Sequence, residues 1–330
     1  MSIGEKCDEK IMKPGKLPII SVIMTSHNHE DFIREAVESI LNQSFSDFEF
    51  LIIDDGSTDA TPDIVQNYAR KDHRVKLVRI DHGGQSCALN MAVLLAQGDY
   101  LAVMDSDDVS LPNRLETQCA WIRENNCALC GSQVETFGDE QKLYWYPESR
   151  EAVCVEQLFR VAMIQGAMMM RSNIARENPY RKDIKLMDYE WPTRISFRYL
   201  LGNVPEVLLK RRRHENQTSV LHSEQCAKEF SRIHFQYFYS LFPQAGLKDY
   251  LALFRIAGDE SMTSLSEMER AGQWLVELSR HSDKRLRHSM AHRWKKVAER
   301  STGLGNESQD IFKRYQSQIM QYDGLVNDTA

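Results

Sequence analysis

Nothing in these 330 residues reads as a membrane span: the uncharged run around Val161–Met170 is far too short to cross a bilayer. Met1–Lys16 carries charges and a Pro-Gly pair but no apolar core of a signal peptide, so it is expected to be a loose tail on a cytoplasmic protein. Excess positive charge is also missing. A net charge of −6 and a pI of about 6.0 leave no general basic footprint for nucleic acid. The seven cysteines are odd in number and scattered, which excludes a disulfide frame and implies reduced thiols. Cys127 and Cys130 form a C-x-x-C with no matching second pair, and in a strand an i, i+3 spacing turns the two thiols to opposite faces. Neither G-x-x-x-x-G-K-[ST] nor G-x-G-x-x-G occurs, which removes the commonest phosphate-cradling loops.

What is present is an ordinary soluble composition, 42% apolar and 27% charged, enough for one large domain or for a domain of roughly 200 residues with an appendage. From Leu17 onward, strand and helix signals alternate. Short β-branched or apolar runs at Ile19–Met24, Phe48–Asp54, Val75–Ile80 and Tyr100–Met104 are separated by amphipathic stretches at Glu30–Asn42, Thr58–Arg70 and Gln85–Ala96. This βαβαβαβ order predicts an α/β fold, a mostly parallel sheet with helices on both faces and a ligand beyond the carboxyl ends of the strands. Further on we expect a helix over Asn113–Asn125, a strand over Ala128–Phe137, a helix over Val155–Ile164, a short strand at Ala167–Met170, a helix within Asp183–Tyr199 and a strand at Val204–Leu209 followed by the basic run Lys210–His214.

The chain's organising stretch is Val103–Asp108, where an apolar strand ends in Asp105, Asp107 and Asp108. Carboxylates this close repel unless something neutralises them, and hard oxygen ligands favour Mg²⁺ or Mn²⁺ shared with a nucleotide's phosphates. The turns Thr25–His29, Asp54–Ser57 and Gly83–Ser86 also follow strand ends, so the fold would gather them along the same edge. Asp188, early in its helix, reads either as a capping acid or as a carboxylate aimed at that site. Tyr144–Pro147 reads either as a sugar-stacking platform or as the edge of the core.

Five segments, in order, resemble the inverting family 2 glycosyltransferases of GT-A fold. They are SVIMTSHN (Ser21–Asn28), LIIDDGSTD (Leu51–Asp59), HGGQSCALN (His82–Asn90), GDYLAVMDSDDVSLPNRL (Gly98–Leu115), and MDYEWPTR (Met187–Arg194) with RRHENQTS (Arg212–Ser219). The resemblance covers Leu17–Leu221, so it implies a catalytic domain at 17–222 after a tail at 1–16, with a helical region at 223–330 outside it. It implies Thr25, Ser26 and His27 around a nucleobase, Asp55 on the base edge, and Gly84 and Ser86 near ribose and phosphates. It further implies Asp105 and Ser106 beside the nucleotide, Asp107 and His214 as holders of Mn²⁺ or Mg²⁺, and Asp188 as the general base. Arg213 and Trp191 are set beside the diphosphate or acceptor. The partners implied are a nucleotide-sugar donor, foremost a UDP-sugar, and a glycan or lipid-linked glycan acceptor in polysaccharide assembly. The chain departs from the family pattern twice: histidine replaces tyrosine at position 27, and Met187 stands where an acid precedes the base.

Two rival readings fit these residues less well. A sugar-1-phosphate nucleotidyltransferase would need a Gly-rich basic loop after the first strand, which TSHNHE is not, and an inactive binding module would not need both Asp107 and Asp188. In the C-terminal region, Lys284–Arg300 sets Leu286, Met290, Trp294 and Val297 on one stripe against a basic face. That pattern suits peripheral contact with an anionic membrane at the inner face of the cell membrane, or packing on the domain or a second subunit as a homodimer.

Overall fold

The computed structural model describes residues 18–182, 184–214 and 223–321; the expected tail at 1–16 lies outside them. Nine strands form one curled sheet in the order β3-β2-β1-β4-β8-β6-β9-β5, with β7 added beside β6. The first half is parallel: β1 (Ile20–Ser26) lies between β2 (Phe48–Asp55) and β4 (Tyr100–Asp105), and β3 (Val75–Ile80) flanks β2. The second half is mixed. β8 (Met169–Arg171) runs antiparallel to both β4 and β6 (Leu129–Gly138), while β9 (Leu201–Arg213) is parallel to β6 and antiparallel to the short β5 (Val109–Ser110). β7 (Leu143–Tyr144) pairs antiparallel with β6.

Strand alternation builds two cores, one on each face of the sheet. Ile20, Val22 and Met24 of β1 join Phe50 and Ile52 of β2 under α1 (Ile33–Leu41), whose Ile33, Ala36, Val37 and Ile40 form the buried stripe. Ile23, Leu51, Ile53 and Val103 face the other way, onto α3 (Gln85–Leu95) and α7 (Met187–Ile195). α2 (Thr61–Ala69) and α4 (Arg114–Glu124) pack on the first face. Cys127 and Cys130 are buried free thiols at the start of β6, Cys130 beside Gln118.

Two elements depart from the sequence expectation. Instead of a helix over Val155–Ile164, α5 spans Arg150–Glu156, because the Ser149 hydroxyl accepts the Ala152 amide and starts the helix earlier. The basic run is not a loop after the strand. β9 pairs with β6 as far as Gly138↔Arg213, so Lys210–Arg213 alternate like any strand residues. A 3₁₀ turn, Gln165–Ala167, and α6 (Ser172–Glu177) bracket β8.

The C-terminal region is helical, as expected: α8 (Ser223–Leu241), α9 (Leu247–Ala257), α10 (Leu265–Ser279), α11 (Lys284–Arg300) and α12 (Asn306–Met320). It does not stand outside the rest. These helices share a third core with Ala152, Val155, Leu158 and Phe159, so apolar packing runs across the expected boundary at 222. The stripe of α11 is buried in that core, with Met290, Trp294 and Val297 at 0% exposure. Of the two readings of this stripe, its burial supports packing. An apolar face already covered by α10 and α12, at about 1.5–3 kcal/mol per large side chain, is not available to lipid. Trp145 is 36% exposed, with the Arg285 guanidinium 4.1 Å from its ring centroid, and Tyr146 is buried. No described helix is long and apolar enough to cross a membrane.

Candidate active site

Strand order reverses at β1 and β4, and a cleft of about 500 Å³ opens there beyond their carboxyl ends. Thr25, Ser26 and His27 leave β1 on its wall, Asp55 ends β2, Gly84 and Ser86 open α3, and Asp105, Ser106 and Asp107 end β4. Asp188 enters from the first turn of α7.

At one end Asp55 organises the wall. Its carboxylate accepts the Gly83 amide at 2.7 Å and the Gly84 amide at 2.9 Å, with His82 Nδ1 at 3.0 Å. The anion that the paired glycine amides meet is therefore Asp55. Gly84 can be only glycine here without strain, because its φ is +85°. His27 Nδ1 lies 2.7 Å from the Asp55 carbonyl, and its ring lies 4.3 Å from that of His82. The aromatic wall is thus two imidazoles rather than one ring. A carboxylate offers about four lone-pair sites, so Asp55 retains acceptor capacity for a base edge.

At the other end lie the clustered acids. Burial, then the adjacent Asp107, raises Asp105 to about 7. Asp108 is pushed well above the usual carboxylate range by burial and by Asp107 and Asp105. Its Oδ1 accepts the Arg212 amide at 2.9 Å, whereas its buried Oδ2 has no hydrogen-bond partner among the described residues. His214 Nε2 sits 2.9 Å from Asp107 Oδ2, which brings together the two residues assigned to the metal. His29, with Nδ1 2.6 Å from Ser106 Oγ, is held below its usual value chiefly by burial. Beneath the cluster the Arg114 guanidinium is fully buried, donating to the Val103 carbonyl at 2.6 Å, and burial lowers it to about 10. Gly166 forms the floor: a Cβ there would lie 2.6 Å from Asp105 Oδ2 and 3.3 Å from Asp108 Oδ2.

Asp188 is raised by burial against the pull of Arg211. Arg211 is the cation that sequence reasoning missed. It lines the cleft, and although burial opposes its charge, Asp108, Asp188 and Asp105 outweigh that and hold it above its usual value. Read as strand, the basic run would have put Arg211 on one face with Arg213, and Arg212 on the other. Arg213, two residues on, lies outside the cleft lining, 3.9 Å from Glu140 Oε2. Arg212 turns the other way, over the rings of Phe137 and Phe32, and donates to the Asp107 carbonyl at 2.9 Å. Trp191 is corrected to a core residue. It is fully buried, stacks on Tyr180 and donates its indole N–H to the Asn178 carbonyl at 2.6 Å. Cys226 of α8, unforeseen, also lines the cleft.

The sequence profile of glycosyl transferase family 2 matches residues 21–192, slightly more than half of the chain and all of the strand ends just described except β9. The chain belongs to this family. It is 32% identical over 222 residues to the O-antigen biosynthesis glycosyltransferase WbnJ of Escherichia coli, covering 64% of this chain and 87% of that one. Among solved structures, S. aureus TarS 1–349 in complex with UDP-GlcNAc superposes with a TM-score of 0.58 at 17% identity, over 92% of this chain and 90% of TarS 1–349. The mannosyltransferase PcManGT from Pyrobaculum calidifontis in complex with GDP-Man and Mn²⁺ gives 0.54 at 14% identity, over 96% and 89%. These likenesses place the glycosyltransferase in the GT-A fold.

Proposed function

We propose that this glycosyltransferase moves a sugar, with inversion, from a nucleotide-sugar to a hydroxyl of a glycan or lipid-linked glycan. The observation that carries the reading is that Asp188, with its raised affinity for a proton, shares one cleft with the Asp105–Asp108 cluster and the Asp55–His27–His82 wall. His27 and His82 would stack on the base, with Asp55 on its edge. Arg211 supplies positive charge where a diphosphate would depart. Asp188 takes the proton of the acceptor hydroxyl as its oxygen bonds the anomeric carbon and the bond to the diphosphate oxygen breaks. One displacement inverts that carbon.

The acid cluster fits a hard divalent cation. Oxygen ligands dominate it, Asp108 Oδ2 is buried without a hydrogen-bond partner, and Gly166 leaves its carboxylates the room a side chain would fill. Asp107 and His214 would hold Mn²⁺ or Mg²⁺, with Asp105 beside them. Among the described residues no three of His, Cys, Asp and Glu form a ready-made metal site, so phosphate and water would complete the coordination. When bound, the cation supplies Lewis-acid stabilisation of the leaving diphosphate.

PcManGT and TarS carry different nucleotides, so the donor is chosen by experiment. UDP-, GDP- and dTDP-sugars are screened with Mn²⁺ for thermal stabilisation, and the sugars that bind are then followed for release of the nucleoside diphosphate. The expected result is stabilisation by one base class and metal-dependent release. Stabilisation without any turnover would make the protein a binding module.

A further inference from the structure

We infer that Glu229, from the C-terminal helices, is a positioning residue of the catalytic cleft, its carboxylate gripping the backbone from which Asp188 projects. The inference rests on the reading of Asp188 as the base. α7 begins with a deficit: its N-cap residue, Leu186, makes no side-chain cap hydrogen bond, and Met187 rather than an acid precedes Asp188. What another element supplies is a hold on the backbone just ahead of the helix. Glu229 Oε2 accepts the Lys185 and Leu186 amides, both at 2.9 Å, and Oε1 accepts Gln225 Nε2 at 2.7 Å.

This carboxylate is only 6% exposed, so its hydrogen bonds are shielded from water and are charge-assisted. Its negative charge also lies at the N-terminus of α7, where the helix dipole favours it. The grip continues on the far side of Asp188. Phe230, next to Glu229, stacks on Tyr189 with ring centroids 4.8 Å apart and planes 25° apart. α8 therefore holds α7 at residues 185 and 186, before the base, and at residue 189, directly after it. One turn earlier on the same helix, Cys226 lines the cleft. The C-terminal helices are in this way part of the catalytic unit, not an attachment to it.

The test uses the full chain and two readouts. Hydrogen exchange followed by mass spectrometry on residues 184–190 should accelerate by about tenfold or more in Glu229→Ala, which leaves two amides without an acceptor. The β1 and α3 segments should be unchanged. Release of UDP from the UDP-sugar found to bind should slow by roughly 10–100-fold, as expected for a misplaced base, while the affinity for UDP with Mn²⁺ stays within about twofold. Glu229→Gln keeps an oxygen within reach and should recover most of both. Where Ala lowers the melting temperature of the whole chain, Glu229→Asp replaces it, keeping the charge but withdrawing the oxygens by one methylene.

In an Asp188→Asn background, Glu229→Ala should cost no further turnover, because the two act as one unit. Unchanged exchange at 184–190, or the same fold loss in the Asp188→Asn background, would overturn the positioning role. Asp188→Asn with normal turnover would instead remove the base assignment, whatever the exchange shows.

Discussion

Gly166→Ala tests the acid cluster through space alone. Gly166 lies in the 3₁₀ turn Gln165–Ala167 and has no left-handed backbone that a methyl group would strain. The added carbon would stand 2.6 Å from Asp105 Oδ2, 3.1 Å from Asp105 Cγ and 3.3 Å from Asp108 Oδ2. Comfortable separations begin near about 3.5 Å, so the Asp105 carboxylate must retreat by roughly 1 Å. It has little room, because the buried Arg114 and Gln118 lie beneath the cluster. Overpacking of this kind costs about 1–3 kcal/mol of stability. A displacement of about 1 Å at the reacting groups costs on the order of 10²-fold in rate. Calorimetric titration of UDP with and without Mn²⁺ separates the two ends of the cleft. Because drawing the carboxylates back to a cation must work against that overpacking of about 1–3 kcal/mol, we expect the gain in UDP affinity conferred by Mn²⁺ to fall by roughly 5–150-fold, with metal-free binding at the His27–Asp55 end retained. A variant that stays folded and keeps the full Mn²⁺-dependent gain would show that Asp105 and Asp108 do not serve the cation.

Asp188→Asn should keep donor binding and lose turnover by about 10²–10⁴-fold; equal loss of donor binding would reduce Asp188 to a structural acid. Because burial raises Asp188, the acid limb of the rate profile should lie above the ordinary carboxylate range. Arg211→Met removes the cation opposing that shift, so the limb should move to still higher pH; an unmoved limb would show that Arg211 does not act on Asp188. Asp105 holds its proton to about 7 when folded and loses it near about 4 when unfolded. Without a cation, its contribution to stability therefore declines as pH rises through that window. Chemical denaturation of Asp105→Asn, which lacks this titration, should show a flatter pH dependence there, and identical slopes would refute the assignment. Trp294→Ala should cost about 3–5 kcal/mol in the same assay. A near-neutral result, or wild-type binding to anionic vesicles that the substitution abolishes, would reinstate the membrane reading.

The sequence by itself determined the parallel half of the sheet and the edge on which the cleft lies. Apolar strands that end in polar turns do so through local periodicity, and Thr25–His27, Asp55, Gly84 and Asp105–Asp107 needed only that pattern to be placed on one edge. The tertiary structure decided what those residues meet. Gly83 and Gly84 give their amides to Asp55, and His27 acquires His82 as a neighbour, through contacts between loops that no local pattern encodes. Trp191 follows Asp188 by three residues, a spacing that keeps both near one side of the helix, yet its indole is buried against Tyr180 and bonded to the Asn178 carbonyl, contacts that only the tertiary fold supplies. Arg211 and Arg213 share one face because β9 runs on through the basic run in pairing with β6, a partner more than seventy residues earlier, and of the two it is Arg211 that lines the cleft while Arg213 lies farther along beside Glu140. Glu229 was illegible for the same reason at greater range: which of the acids on an amphipathic helix meets the start of α7 depends on how α8 docks, and that is set by the packing of Phe230 on Tyr189 and of the third core.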